Sequence, residues 1–189
     1  MDHKKTSMYF KAFHEELEKI ARKETRSLSI FKDPDIPNGD YAFLPMFCND
    51  KKCDCRRALI TVLQVTPEYG PFHGATISYG WETLSFYRKW SNALTDEEVK
   101  AMKGPVLAQF NRQSEYAEPL LESFIRTVLD DEYSQRLQRQ YAQFKYKIGM
   151  KLSPELSRQG DIAGECPCGS GRPFRMCCGR GKFSRRYRR

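Results

Sequence analysis

The chain has 189 residues, is 40% hydrophobic and 13% aromatic, and includes 12 Phe and 10 Tyr, enough apolar mass for one core and too much for a disordered chain. Its most apolar stretch, Ala58 to Leu63, falls far short of the ~20 residues of a spanning helix, and the charged start Met1-Asp2-His3-Lys4-Lys5 leads into no apolar export region. The net charge of +8 is localised: residues 1–165 hold 24 Lys/Arg against 24 Asp/Glu, whereas residues 166–189 hold 8 Lys/Arg and no acid. A cytoplasmic protein with a neutral body and a basic, cysteine-bearing end is expected.

Residues 8–24 read as an amphipathic helix, because Tyr9, Phe10, Phe13, Leu17, Ile20 and Ala21 recur at steps of three and four. The two prolines and Asn38-Gly39 within 33–40 mark a loop. Three strands are predicted at 41–47, 58–66 and 75–81, the second β-branched and apolar enough to be central. Short connections favour an antiparallel meander. From Thr83 the pattern turns helical; Thr95-Asp96-Glu97-Glu98 is a capping box opening a helix that ends near Gly104-Pro105. A long apolar stripe then runs from Leu120 through Phe124, Val128, Tyr133, Leu137, Tyr141 and Phe144 to Ile148, as one helix or as two broken at Asp130-Asp131-Glu132. Ser153-Pro154 closes the helical pattern, and 159–165 reads as a linker. The expected class is α+β: a small three-stranded antiparallel sheet packed by helices (body, 1–158), then a cysteine knuckle (166–179) and a basic tail (180–189).

Seven cysteines fall into two groups, and an odd number of clustered thiols points to metal or thiol chemistry rather than a disulfide framework. In Cys166-Pro-Cys168-Gly-Ser-Gly-Arg-Pro-Phe-Arg-Met-Cys177-Cys178-Gly, two close pairs flank a short loop. Such spacing lets four thiolates wrap one Zn²⁺. Gly169 and Gly171 permit the turn, Phe174 can cover the site, and Arg172, Arg175 and Arg180 can offset the net negative charge of a four-thiolate centre. A segment this short needs the metal in order to fold.

These fourteen residues resemble the SEC-C motif, the zinc-binding C-terminal tail of the SecA translocase that is also appended to many bacterial proteins. The resemblance implies that Cys166, Cys168, Cys177 and Cys178 are zinc ligands, and that the partner is an acidic protein surface (a SecB-like chaperone) or the ribosome and its RNA. It does not extend to the ATPase, since no Gly-x-x-x-x-Gly-Lys-Ser/Thr loop occurs. Partner contacts are expected from Arg172, Arg175, Arg180, Lys182, Arg185, Arg186, Arg188 and Arg189, where cations interleave with Phe183 and Tyr187.

Cys48, Cys53 and Cys55 fall in the predicted connection between the first two strands, so a tight loop gathers them at one end of the sheet. A second metal could sit there. Glu82, at the end of the returning third strand, is the in-chain candidate for a fourth ligand, with Asp50 and Asp54 as local candidates and His73 at the far end. Otherwise the site has three thiolates and an open position, or the three are free structural thiols. Lys51, Lys52, Arg56 and Arg57 favour thiolates with or without metal. The function expected is a zinc-binding adaptor module; the alternative is a thiol- or metal-dependent enzyme using these three cysteines.

Overall fold

A computed structural model of the chain describes residues 10–66, 70–92 and 95–181. Strand β1 (Phe10–Ala12) leads directly into helix α1 (Phe13–Glu24), followed by strands β2 (Arg26–Ile30), β3 (Gly39–Cys48), β4 (Arg57–Val65) and β5 (Phe72–Gly80). Helices α2 (Leu84–Ser91) and α3 (Asp96–Lys103) precede a two-residue strand β6 (Val106–Leu107). Helix α4 (Ala117–Ser123) runs on into a π-helical turn over 124–128, and α5 (Asp131–Lys147) and α6 (Pro154–Gln159) complete the helices. Among the described residues, no helix is long and apolar enough to cross a membrane.

The α+β class holds, but the antiparallel sheet has six strands rather than three, in the order β1-β3-β4-β5-β6 with β2 also on β3. The predicted strands are its centre. Alternation on β3 buries Tyr41, Phe43 and Phe47 on one face, and β4 sets Val62 opposite Phe43 and Ala58 opposite Phe47. The added strands lie along the edges. β1 pairs with residues 46–48 of β3 and β2 with residues 39–43, so Pro45 falls in the gap between them, where a missing N–H breaks no ladder bond on that side. Consequently α1 begins at Phe13, not at residue 8, because Phe10–Ala12 is recruited to the sheet edge. Beyond the register shift at Val62/Leu63, Gly74 is the unpaired residue of β5, and a Cβ there would lie 2.7 Å from Leu120 Cδ1.

The long helical stripe is two segments. The π-helical turn ends at Leu129, and Asp130 caps α5 by accepting from the Tyr133 N–H at 2.7 Å. The Thr95–Glu98 capping box forms as expected. Ser153-Pro154 does not close the helical pattern: α5 has already stopped at Lys147, and Ser153 caps α6 with proline in its first turn. The stretch expected as a linker is packed. Gly160 is buried and its carbonyl accepts from Gln143 Nε2 at 3.1 Å, while Ile162 joins the same apolar cluster as the sheet.

Aromatic rings bind the layers together. Phe47 of β3 lies 5.9 Å from Phe13 of α1, and 5.8 and 5.7 Å from Tyr141 and Phe144 of α5, centroid to centroid. Phe124 meets Phe43 at 5.6 Å and Tyr133 at 6.1 Å. Phe47→Ala is therefore expected to cost about 3–5 kcal/mol of unfolding free energy in urea titration. A loss below about 1 kcal/mol would place the core's centre elsewhere.

Candidate metal centres

The knuckle is a short hairpin closed by backbone hydrogen bonds. Cys166 N–H donates to the Arg172 carbonyl at 2.8 Å, Glu165 and Pro173 form an antiparallel bridge, and Phe174 N–H donates to Gly164 O at 2.8 Å. Gly169 and Gly171 both adopt positive φ, at 78° and 67°, as the turn between the cysteine pairs requires. Residues 174–176 form a 3₁₀ turn, and Gly179 N–H returns to the Phe174 carbonyl at 2.9 Å.

This backbone brings the sulfurs of Cys166, Cys168, Cys177 and Cys178 within 4.8 Å of one another, a set that could hold a metal ion. Cys168 and Cys177 are 3.6 Å apart and Cys177 and Cys178 4.0 Å. Tetrahedral thiolates at ~2.3 Å from a central ion would be separated by about 3.8 Å. The Ser170 hydroxyl stands 3.1 Å from Cys177 Sγ, and Ser170 with the neighbouring thiols lowers the Cys168 pKa to about 6. Burial is the leading effect on Cys166 and Cys178, pushing both thiols up. Donors already at bonding separation, one inclined to ionise, suit a closed four-sulfur centre.

The knuckle does not stand apart from the body. Phe174 is fully buried and lies 6.0 Å from the Tyr146 ring of α5, while Cys166 belongs to the same apolar cluster as Phe13 and Phe47. Lys147 Nζ donates to the carbonyls of Cys178 and Arg180 at 2.8 and 2.6 Å, tying the knuckle's exit to the last turn of α5.

The sulfurs of Cys48, Cys53 and Cys55 also lie within 4.8 Å of one another and could hold a metal ion. Cys48 ends β3, and the loop to β4 folds back through Cys53 N–H to Asp50 O at 3.2 Å. The neighbouring Cys53 and Cys55 thiols hold Cys48 far below the ordinary thiol range, and Cys48 in turn raises theirs.

Glu82 does come near this loop, but it binds Arg56 rather than completing the sulfur set. Arg56 Nη1 lies 2.9 Å from Glu82 Oε1 and Nε 3.1 Å from Asp54 Oδ2. Asp50 Oδ1 accepts from Lys52 N–H at 2.8 Å, and His73 pairs with Thr76 Oγ1 where β5 starts, at the far end of the sheet as expected. No carboxylate or imidazole among the described residues joins the three sulfurs.

Sequence reasoning missed Lys145. It is fully buried, and its ammonium donates to Asp50 O at 2.9 Å and Cys53 O at 2.8 Å and stands 5.4 Å from the Tyr141 ring centroid. Its position was the available signal: it follows Tyr141 by four residues and Leu137 by eight, on the buried stripe.

Of the expected partner contacts, Arg172, Arg175 and Arg180 are exposed on the knuckle, while Lys182, Arg185, Arg186, Arg188 and Arg189 lie outside the described residues. No family model, curated protein or solved structure matches the chain.

A Cβ on Gly179 would lie 2.6 Å from Phe174 Cε1, whereas one on Gly181 would meet nothing within 4 Å. Gly179→Ala should thus weaken metal retention by the knuckle by about 1–3 kcal/mol in chelator competition, with Gly181→Ala unchanged. Equal retention by both variants would mean that Phe174 does not brace the centre.

Proposed function

We propose that the chain is an adaptor: a SEC-C-type knuckle, folded by one Zn²⁺ on Cys166, Cys168, Cys177 and Cys178, that presents a basic surface to an acidic partner protein. The observation that carries this reading is a cleft of about 760 Å³ between knuckle and body, lined by Lys11, Lys51, Lys147, Lys151, Arg175 and Arg180. Among the described residues Glu16 is the one acid on its wall, and it is already engaged by Lys11. Tyr146, Ile148, Met150 and Met176 give the cleft apolar ground between the cations. Charge with interspersed apolar contact suits an acidic polypeptide carrying hydrophobic side chains better than a bare phosphate backbone.

Zinc is the metal best matched to four thiolates in a closed tetrahedral set. Its role here is structural, because all four positions are filled by the chain. The alternative, a thiol- or metal-dependent enzyme using Cys48, Cys53 and Cys55, has less support, since two of the three, Cys48 and Cys55, are buried at 4% and 3% exposure.

The test is binding of a fluorescently labelled acidic peptide containing aromatic residues, read by anisotropy on the zinc-loaded full chain. The double variant Lys151→Glu/Arg175→Glu should lower affinity at least about tenfold, with far-ultraviolet circular dichroism and zinc content unchanged. Equal binding by the variant, or tighter binding of single-stranded RNA of matched charge, would overturn the proposal.

A further inference from the structure

We propose that Cys48, Cys53 and Cys55 form a second, separate site for a zinc-class divalent ion, held by three thiolates and neutralised by the buried ammonium of Lys145. The inference goes beyond the adaptor reading and does not depend on it.

The loop is already built. Besides the turn from Cys53 N–H to Asp50 O, the Lys145 ammonium holds the Asp50 and Cys53 carbonyls, and the Tyr141 hydroxyl donates to Asp54 Oδ1 at 3.1 Å. The same hydroxyl accepts from Arg56 N–H at 3.3 Å, and Arg56 takes a positive φ of 46°, a conformation that a non-glycine residue adopts only when its surroundings hold it there. Two helix residues therefore fix the loop on which the three sulfurs converge.

Charge selects the occupant. A fully buried ammonium is costly unless an anion balances it, and among the described residues the contacts of Lys145 are two carbonyls and an aromatic face, with no carboxylate. Three neutral thiols leave that charge unmatched, as would a disulfide with one spare thiol. Binding a divalent ion expels the thiol protons to solvent and leaves three thiolates around two positive charges, a net −1 that Lys145 cancels. Because Glu82 and Asp54 are committed to Arg56 and Asp50 to Lys52, the fourth position falls to water or to a donor from outside the chain. A single thiolate at Cys48 without metal would also balance the lysine, and the experiment separates the two.

The reduced full chain, stripped with chelator, is titrated with Zn²⁺ against a chromophoric competitor and, in parallel, with Co²⁺ while near-ultraviolet thiolate-to-cobalt absorption is followed. Wild type should bind about two equivalents, and Cys166→Ser/Cys168→Ser about one that still carries thiolate–cobalt absorption. Cys53→Ser, at the least buried of the three sulfurs, should lose that second equivalent and keep the first. Lys145→Met should weaken the three-thiolate site at least about tenfold relative to the knuckle site of the same molecule, which serves as internal control against general unfolding. One equivalent in wild type and no thiolate–cobalt absorption in folded Cys166→Ser/Cys168→Ser would overturn the site. So would a single fast-alkylating thiol at Cys48 that added Zn²⁺ does not protect. An unchanged affinity ratio in Lys145→Met would overturn the assignment of the counter-charge.

Discussion

The last two turns of α5 are the constraint on which both cysteine groups depend. Tyr141 and Phe144 lock this helix onto Phe47, and that contact sets the rotation of everything after it. Lys145 then faces the β3–β4 loop, and Lys147, two residues on and so on a different side of the helix, faces the knuckle. One helix end supplies one ammonium to the backbone of each cysteine group. Burying Lys145 costs several kcal/mol, of which two charge-assisted hydrogen bonds of about 1.5–3 kcal/mol each return a part without balancing its net charge. The aromatic contacts, at about 0.5–1.5 kcal/mol per pair, do not remove that penalty; they fix the geometry in which it can be met.

The sheet's centre was legible because β3, β4 and β5 are long enough for alternation to register. Its edges were not. β1 has three residues and β6 two, too few to carry any period, and Phe10 also fits the apolar stripe of the helix that follows. β2 alternates, but Arg26-Ser-Leu-Ser-Ile offers only two apolar residues and lies at a helix's end, where a loop reading is natural. The helix break at Asp130 was readable as one of two options, and the capping interaction decides it.

The cysteine groups differ in the same way. The knuckle is local: fourteen residues contain all four donors, the glycines at positive φ and the covering Phe174, so its spacing nearly specifies its geometry. The meander correctly implied that three thiols gather at one sheet end and that Glu82 arrives beside them. Ligation by Glu82 failed on competition, because Arg56 in the same loop offers that carboxylate a salt bridge at 2.9 Å. Lys145 lies more than 90 residues from Cys53 in sequence, and a lysine on a helix ordinarily reads as solvated; only its place on the apolar stripe set it apart.

Packing the knuckle on the body changes what a metal there must accomplish. Burial of one phenylalanine contributes about 1.5–3 kcal/mol, whereas structural zinc contributes about 10–16 kcal/mol to folding of comparable segments. Docking on Tyr146 therefore cannot replace the ion. Its consequence is orientation: Phe174 and the Lys147 hydrogen bonds fix which side of the knuckle faces α5, and that choice sets Arg175 and Arg180 in the same cleft as Lys51 and Lys151. A knuckle on a free tether would bring its own arginines to a partner and nothing more. Held here, it adds them to the lysines of the body, and the cations of knuckle and body act as one field rather than as two separate groups.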